Sequence, residues 1–176
     1  MSEIVCAPKN DKEEKYIEYG KDGQILLEGV LRDGKKEGLW KKYIEGKPGC
    51  VEYECNYVDD LPDGRYTEYT EDGRILFEGF YAMGKKEGTW RKYTKEGYLE
   101  CQYNYKNDKL DGVYERYFPG EERRLCERFT LRNEKLDGIW EVYDEAGNPQ
   151  KRVLYANGKK VTPAFLACLQ HKWQNF

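Results

Sequence analysis

The sequence predicts an all-β fold: an elongated, single-layer antiparallel meander of about six hairpin repeats, capped by one C-terminal α-helix. Three observations carry that expectation. The pattern acidic-Gly-x-(Trp/Tyr)-x-x-Tyr occurs five times, with its glycines 26, 24, 24 and 26 residues apart. Near-constant spacing of this kind marks stacked structural repeats. Upstream of each motif, apolar and polar residues alternate over about seven positions, as in a half-buried strand. Charged residues make up 36% of the chain, and the apolar class reaches 39% only by counting 16 tyrosines. Such a chain has much surface and a thin core.

The elements follow in order. Residues 1–14 are charged and aperiodic, and are read as a mobile N-terminal segment. The repeat sheet is assigned to residues 15–161, beginning with a partial copy at Tyr16 and Tyr19. Full copies are built on Gly38, Trp40 and Tyr43; on Gly64, Tyr66 and Tyr69; and on Gly88, Trp90 and Tyr93. Two more use Gly112, Tyr114 and Tyr117, then Gly138, Trp140 and Tyr143, before a degenerate copy at residues 155–160. In the first copy Ile25, Leu27 and Leu31 face one side of a strand, with Glu28 between them. A second, shorter strand is expected to start at the glycine and carry the Trp or Tyr. Two strands per repeat give about twelve in a meander.

A longer period of about 50 pairs Gly34-Lys35-Lys36-Glu37-Gly38 with Gly84-Lys85-Lys86-Glu87-Gly88. Glu-Gly copies carrying Trp thus alternate with Asp-Gly copies carrying Tyr, until Trp140 breaks the rule. Residues 162–176 form the predicted capping helix. Thr162-Pro163 suit an N-cap and first helical position. Phe165, Leu166, Leu169 and Trp173 follow at helical spacing.

Composition also excludes. No segment approaches ~18 uninterrupted apolar residues, so no membrane-spanning helix is expected. The N-terminus lacks the apolar stretch of a secretory signal, so the expected location is cytoplasmic and the six cysteines are expected as free thiols. A net charge of -3 gives no global attraction to nucleic acid. His171 is the single histidine, and Cys50, Cys55, Cys101 and Cys126 fall at four different repeat positions. That arrangement builds no repeating metal site and no nucleophile–base pair. Glu28, Glu54 and Glu78 recur at one repeat position and read as a solvated row. The two aromatic rows of the motif read together as the core. Neither an enzyme nor a cofactor is expected.

The stretches Ile25-Leu26-Leu27-Glu28-Gly29 through Gly38-Leu39-Trp40, and likewise Ile75 through Trp90, resemble the bacterial variant of the MORN (membrane occupation and recognition nexus) repeat. The resemblance extends over roughly residues 15–160. That variant defines the YwqK-like family of antitoxin or immunity proteins. It implies a single-layer twisted sheet of stacked hairpins, and a toxin partner neutralised by direct binding and occlusion. Two other readings stay open: a membrane-associated scaffold on anionic headgroups, and a glycan-binding module.

Candidate partner-binding residues come from two features. Leu26, Val30, Leu76, Phe80 and Leu154 are apolar where alternate repeats carry Glu or Asn, and exposed apolar clusters mark interaction sites. Lys35, Lys36, Lys41, Lys42 and Lys85, Lys86, Arg91, Lys92 make two basic clusters, with an acidic band from Asp59 to Asp72 between them. The candidate contact set is Leu26, Val30, Leu76, Phe80, Lys41, Lys42, Arg91 and Lys92, with Glu28 and Glu78.

Overall fold

The computed structural model describes residues 12–161. They form one open antiparallel sheet in which each strand pairs with its neighbours in sequence. The strands are β1 (Glu13–Tyr19), β2 (Ile25–Arg32), β3 (Lys35–Tyr43), β4 (Val51–Val58), β5 (Leu61–Tyr69), β6 (Ile75–Ala82) and β7 (Lys85–Tyr93). There follow β8 (Leu99–Lys106), β9 (Lys109–Tyr117), β10 (Leu125–Arg132), β11 (Lys135–Leu136), β12 (Gly138–Tyr143), β13 (Pro149–Ala156) and β14 (Lys159–Lys160). β11 and β12 both pair with β10 and share one rung. At about 4.8 Å per rung the sheet runs roughly 55–60 Å. Glu13 and Glu14, assigned from sequence to the N-terminal segment, already belong to β1. Residues 1–11 and the helix expected over 162–176 lie outside the described residues.

The hairpin turns are not at the motif glycines. Every second turn, beginning with the one between β2 and β3, closes on two residues at positive φ, as in Asp59-Asp60, Asn107-Asp108 and Asn157-Gly158, the type I′ pattern that matches strand twist. The turns of β1–β2, β5–β6 and β7–β8 carry a single such residue, Gly23, Gly73 and Gly97. After a two-residue turn the second strand begins three residues before the glycine, as Lys35 does before Gly38. Gly38, at φ 66°, sits where the register slips between the Glu28↔Lys41 and Val30↔Glu37 pairs. The motif glycine is therefore a bulge residue inside a strand, where positive φ adds local twist. This corrects the expectation that the strand starts there, except in the fifth copy, where β12 begins at Gly138.

The acid before the glycine has its own task. The Glu37 carboxylate accepts a hydrogen bond from the Asp59 backbone N–H at 3.4 Å, Glu87 from Asn107 at 2.8 Å and Asp111 from Asn133 at 3.0 Å. Asp137 accepts from Asn157 at 3.3 Å. An acidic-Gly pair is thus a bulge former beside an acceptor for the next hairpin's turn.

Opposed residues share a face, which divides the sheet cleanly. On one face Trp40 opposes Cys55, Tyr66 opposes Cys55 and Gly79, and Trp90 opposes Tyr103. Tyr114, opposing Tyr103 and Phe129, and Trp140, opposing Val153, continue the row. Trp40 is only 1% exposed although the sheet is a single layer. Its ring is closed over by Tyr16 at 5.3 Å, Tyr57 at 6.3 Å and the Lys36 ammonium at 4.5 Å. Tyr66, Tyr81, Tyr105 and Lys86 enclose Trp90 in the same way. Both indole N–H groups donate to backbone carbonyls, those of Val30 and Phe80, at 3.2 Å. Trp140 differs because Phe129 stands where Gly29 and Gly79 stand in those repeats. Its indole donates to Glu127 instead, at 2.8 Å.

Candidate functional site

The last tyrosine of each motif faces away from this core. Three positions separate Trp40 from Tyr43, and an odd step along a strand changes face. Tyr43 donates to Glu28 at 2.6 Å, Tyr69 to Glu54 at 3.1 Å, Tyr93 to Glu78 at 2.7 Å and Tyr117 to Glu115 at 3.0 Å. Tyr143 does the same with Glu141. The reading of both aromatic rows as one core is corrected: Trp40, Tyr66, Trp90, Tyr114 and Trp140 build it. Tyr43, Tyr69, Tyr93, Tyr117 and Tyr143 hold carboxylates on the other face.

Those carboxylates belong to a row that crosses the sheet. Glu28, Lys41, Glu54, Thr67, Glu78 and Arg91 oppose one another in succession. Gln102, Glu115, Arg128, Glu141 and Arg152 continue it. Sign alternates along the row except where Thr67 and Gln102 stand. Lys41 pairs with Glu54 at 2.9 Å, Arg128 with Glu115 at 3.5 Å and Arg152 with Glu141 at 3.1 Å. The hydrogen bond to Glu54 holds the Lys41 ammonium above its ordinary value. The solvated row expected from sequence is thus a half-buried, internally paired ladder.

Beside this ladder the same face carries apolar side chains. Arg65 opposes Phe80, and Ile139 opposes Leu154. Phe80 is 56% exposed, Leu39 45% and Ile139 39%. Phe80 lies at a shallow depression of about 410 Å³ lined with Arg65, Glu78, Gly79, Thr89 and Arg91. Glu78 organises it, accepting from Tyr93 and pairing with Arg65 at 3.1 Å and Arg91 at 3.5 Å. Burial alone would push the Glu78 carboxyl up, but the Tyr93 hydroxyl and the two guanidiniums outweigh it and hold the group below its ordinary value. Burial, with the bond to Glu78, pushes the Tyr93 hydroxyl up to about 12.

Among the candidates named from sequence, Phe80, Glu78 and Arg91 come together here. Glu28, Val30 and Lys41 belong to the Glu28–Lys41 end of the same sheet, four strands away, about 19 Å at the usual spacing. Leu26 and Leu76 are half-buried and sit where the register shifts, between Ile25 and Leu27 and between Ile75 and Phe77. Lys42 and Lys92 do not join the set. Lys42 opposes Leu27 and Tyr53 and pairs with Glu52 at 2.9 Å. Lys92 opposes Phe77 and Cys101 and pairs with Glu100 at 3.0 Å. Both lie on the aromatic face, because consecutive residues of a strand alternate sides. The two basic clusters are therefore divided between faces, with Lys36 and Lys86 spent on tryptophan rings. Sequence reasoning missed Arg65, Leu39 and Ile139, although all three occupy the position just after the motif glycine.

The cysteines are placed by packing. Cys55, Cys101 and Cys126 are buried, Cys50 is half-buried, and all four are free thiols. Burial pushes the Cys55 thiol up to about 11 and raises Cys101 as well, the reverse of what nucleophilic use requires. What the charged face offers is shape, ion pairing and hydrogen bonding to a broad surface.

No curated protein matches the chain. The model of the MORN repeat variant matches residues 62–83 and 136–157, each a second strand with the first strand that follows it, so this chain is a single-sheet repeat protein similar to that variant in both stretches.

Proposed function

We propose that the chain is a non-enzymatic, cytoplasmic binding protein whose charged face takes a protein partner, and that the partner is a toxin neutralised by occlusion. The observation that carries this reading is Phe80, a large aromatic left 56% exposed between Arg65 and Arg91. Aromatic and arginine side chains dominate the energetics of protein interfaces. The alternating ladder beside it supplies a charge pattern by which one partner is told from another. A toxin as the partner class is what the sequence resemblance to the YwqK-like family implies. Lys41, Lys42 and Lys92 each face a carboxylate, which favours a protein over anionic headgroups. Burial of Trp40 and Trp90 favours it over sugar stacking.

The test is genetic and biochemical together. Deleting the gene in its host leaves the toxin unopposed, so growth arrests, and a copy of the native gene restores it. Phe80→Ser with Arg91→Glu fails to restore growth and no longer co-purifies the toxin. Normal growth after deletion, with no toxic protein bound to the native chain, removes the antitoxin reading. Pelleting of the chain with anionic vesicles at low salt favours the headgroup reading instead.

A further inference from the structure

The two ends of the sheet are complementary halves of one repeat. β1 pairs with β2 as β3 pairs with β4: Tyr16 faces Gly29 and Tyr19 faces Ile25, as Trp40 faces Cys55 and Tyr43 faces Val51. β1 is therefore a second strand that, among the described residues, has no first strand before it. β13 is a first strand, meeting β12 as β8 meets β7. Its own second strand, β14, pairs only Lys159 and Lys160, after which the Val161 N–H donates to the Leu154 carbonyl at 2.8 Å. Along Pro149–Val153 no described strand lies against the outer edge of β13.

The ends also carry opposite charge. β1 holds Glu13, Glu14 and Glu18 against Lys15. β13 and β14 hold Lys151, Arg152, Lys159 and Lys160 and no acid. Glu18, Lys159 and Lys160 make no ion pair among the described residues, and Lys151 lies over the Trp140 ring at 4.2 Å. Charged edges block pairing between like ends. Ends of opposite sign attract each other.

We infer that the acidic β1 end of one molecule adds, strand to strand, to the basic β13–β14 end of a second copy, so that chains assemble head to tail. The register is the one the sheet already uses. Tyr16 of the incoming strand stands opposite Val153 as Tyr66 stands opposite Cys55, and Glu18 opposite Lys151 as Glu68 opposite Tyr53. Backbone hydrogen bonds supply the contact, and the aromatic row runs on from Trp140 and Tyr155 into Tyr16 and Trp40 of the next copy. A contact between two different surfaces does not close on itself as a twofold dimer does, so assembly proceeds in a series.

Sedimentation velocity on the full chain tests this. At low salt the weight-average size rises with protein concentration, and salt suppresses the rise. Glu14→Lys with Glu18→Lys weakens association by more than about tenfold, and Lys151→Glu with Lys159→Glu does the same, because each brings like charges together. Mixing the two variants in equal amounts restores it, while circular dichroism shows both folded. A full chain that stays monomeric at every concentration overturns the proposal. So does an assembly that survives either reversal alone, since another surface then holds it.

Discussion

Gly79 lies directly under the ring of Trp90: a β-carbon at residue 79 would fall 2.2 Å from the indole. Gly29 and Trp40 repeat the arrangement at 2.3 Å. Repeats with Tyr in place of Trp carry Cys55 or Tyr103 at the glycine's position, so the small residue and the large ring are a matched pair. Gly79→Ala is expected to cost about 2–3 kcal/mol by overpacking. Gly79→Ala with Trp90→Tyr recovers part of that loss, because contacting sites couple. Urea unfolding of the three variants decides it, and simple additivity would refute the pairing.

Met83 sits in a hairpin turn at φ 48°, where other copies place Asn or Asp, residues that tolerate this conformation. Its side chain is 75% exposed and contributes little packing. Met83→Asn should raise stability by about 1 kcal/mol, and a thermal melt that does not move upward contradicts this.

The Glu78 carboxyl is held below its ordinary value of 4.5. Its ionised form therefore stabilises the fold at pH above that value, and the contribution disappears as pH falls through the lowered value. Glu78→Gln is expected to be less stable than the native chain near neutrality. The two unfolding midpoints should converge on acidification below 4.5. A gap that stays constant from neutral to acid pH would assign the loss to something other than charge.

Phe80→Ser removes a side chain that is mostly in water, so stability should change by no more than about 0.5 kcal/mol. Phe77→Ser, three residues away and facing the core row opposite Glu68 and Lys92, should cost several times more. Similar losses at the two positions would mean that Phe80 packs against something.

Thiol chemistry should follow burial. Brief iodoacetamide treatment of the native protein at pH 8 is expected to label Cys50 before Cys55 and Cys101, whose thiols are buried and raised. Peptide mass spectrometry reads the order, and early modification of Cys55 would show that the core opens readily.

The meander was legible because its signals are local and repeated: a fixed motif spacing and period-two alternation name strands without any knowledge of partners. The faces were only half legible. Counting three positions from Trp40 to Tyr43 places them on opposite sides, yet chemical likeness grouped them as one core. The ladder from Glu28 to Arg152 depends on register across bulges, which one strand's sequence does not disclose. Lys41 and Lys42 read as a cluster for the same reason, since adjacency in sequence means separation across a strand. The glycine beneath Trp90 left a trace, a Gly eleven residues before each of the first two Trp, whose meaning is visible only once the ring is seen lying over it.

Because each strand pairs only with its neighbours in sequence, no distant segments have to meet before the fold gains stability. The usual slowness of all-β folding, which comes from closing long loops, should be absent, and any hairpin can serve as the starting point. Opening runs the other way. Among the described residues β1 and β14 have a partner on one side only and are expected to exchange their amide protons first, while β6 stands near the middle rung, buffered from both directions. Phe80, exposed on the charged face, is thus mounted on the part of the molecule that opens last.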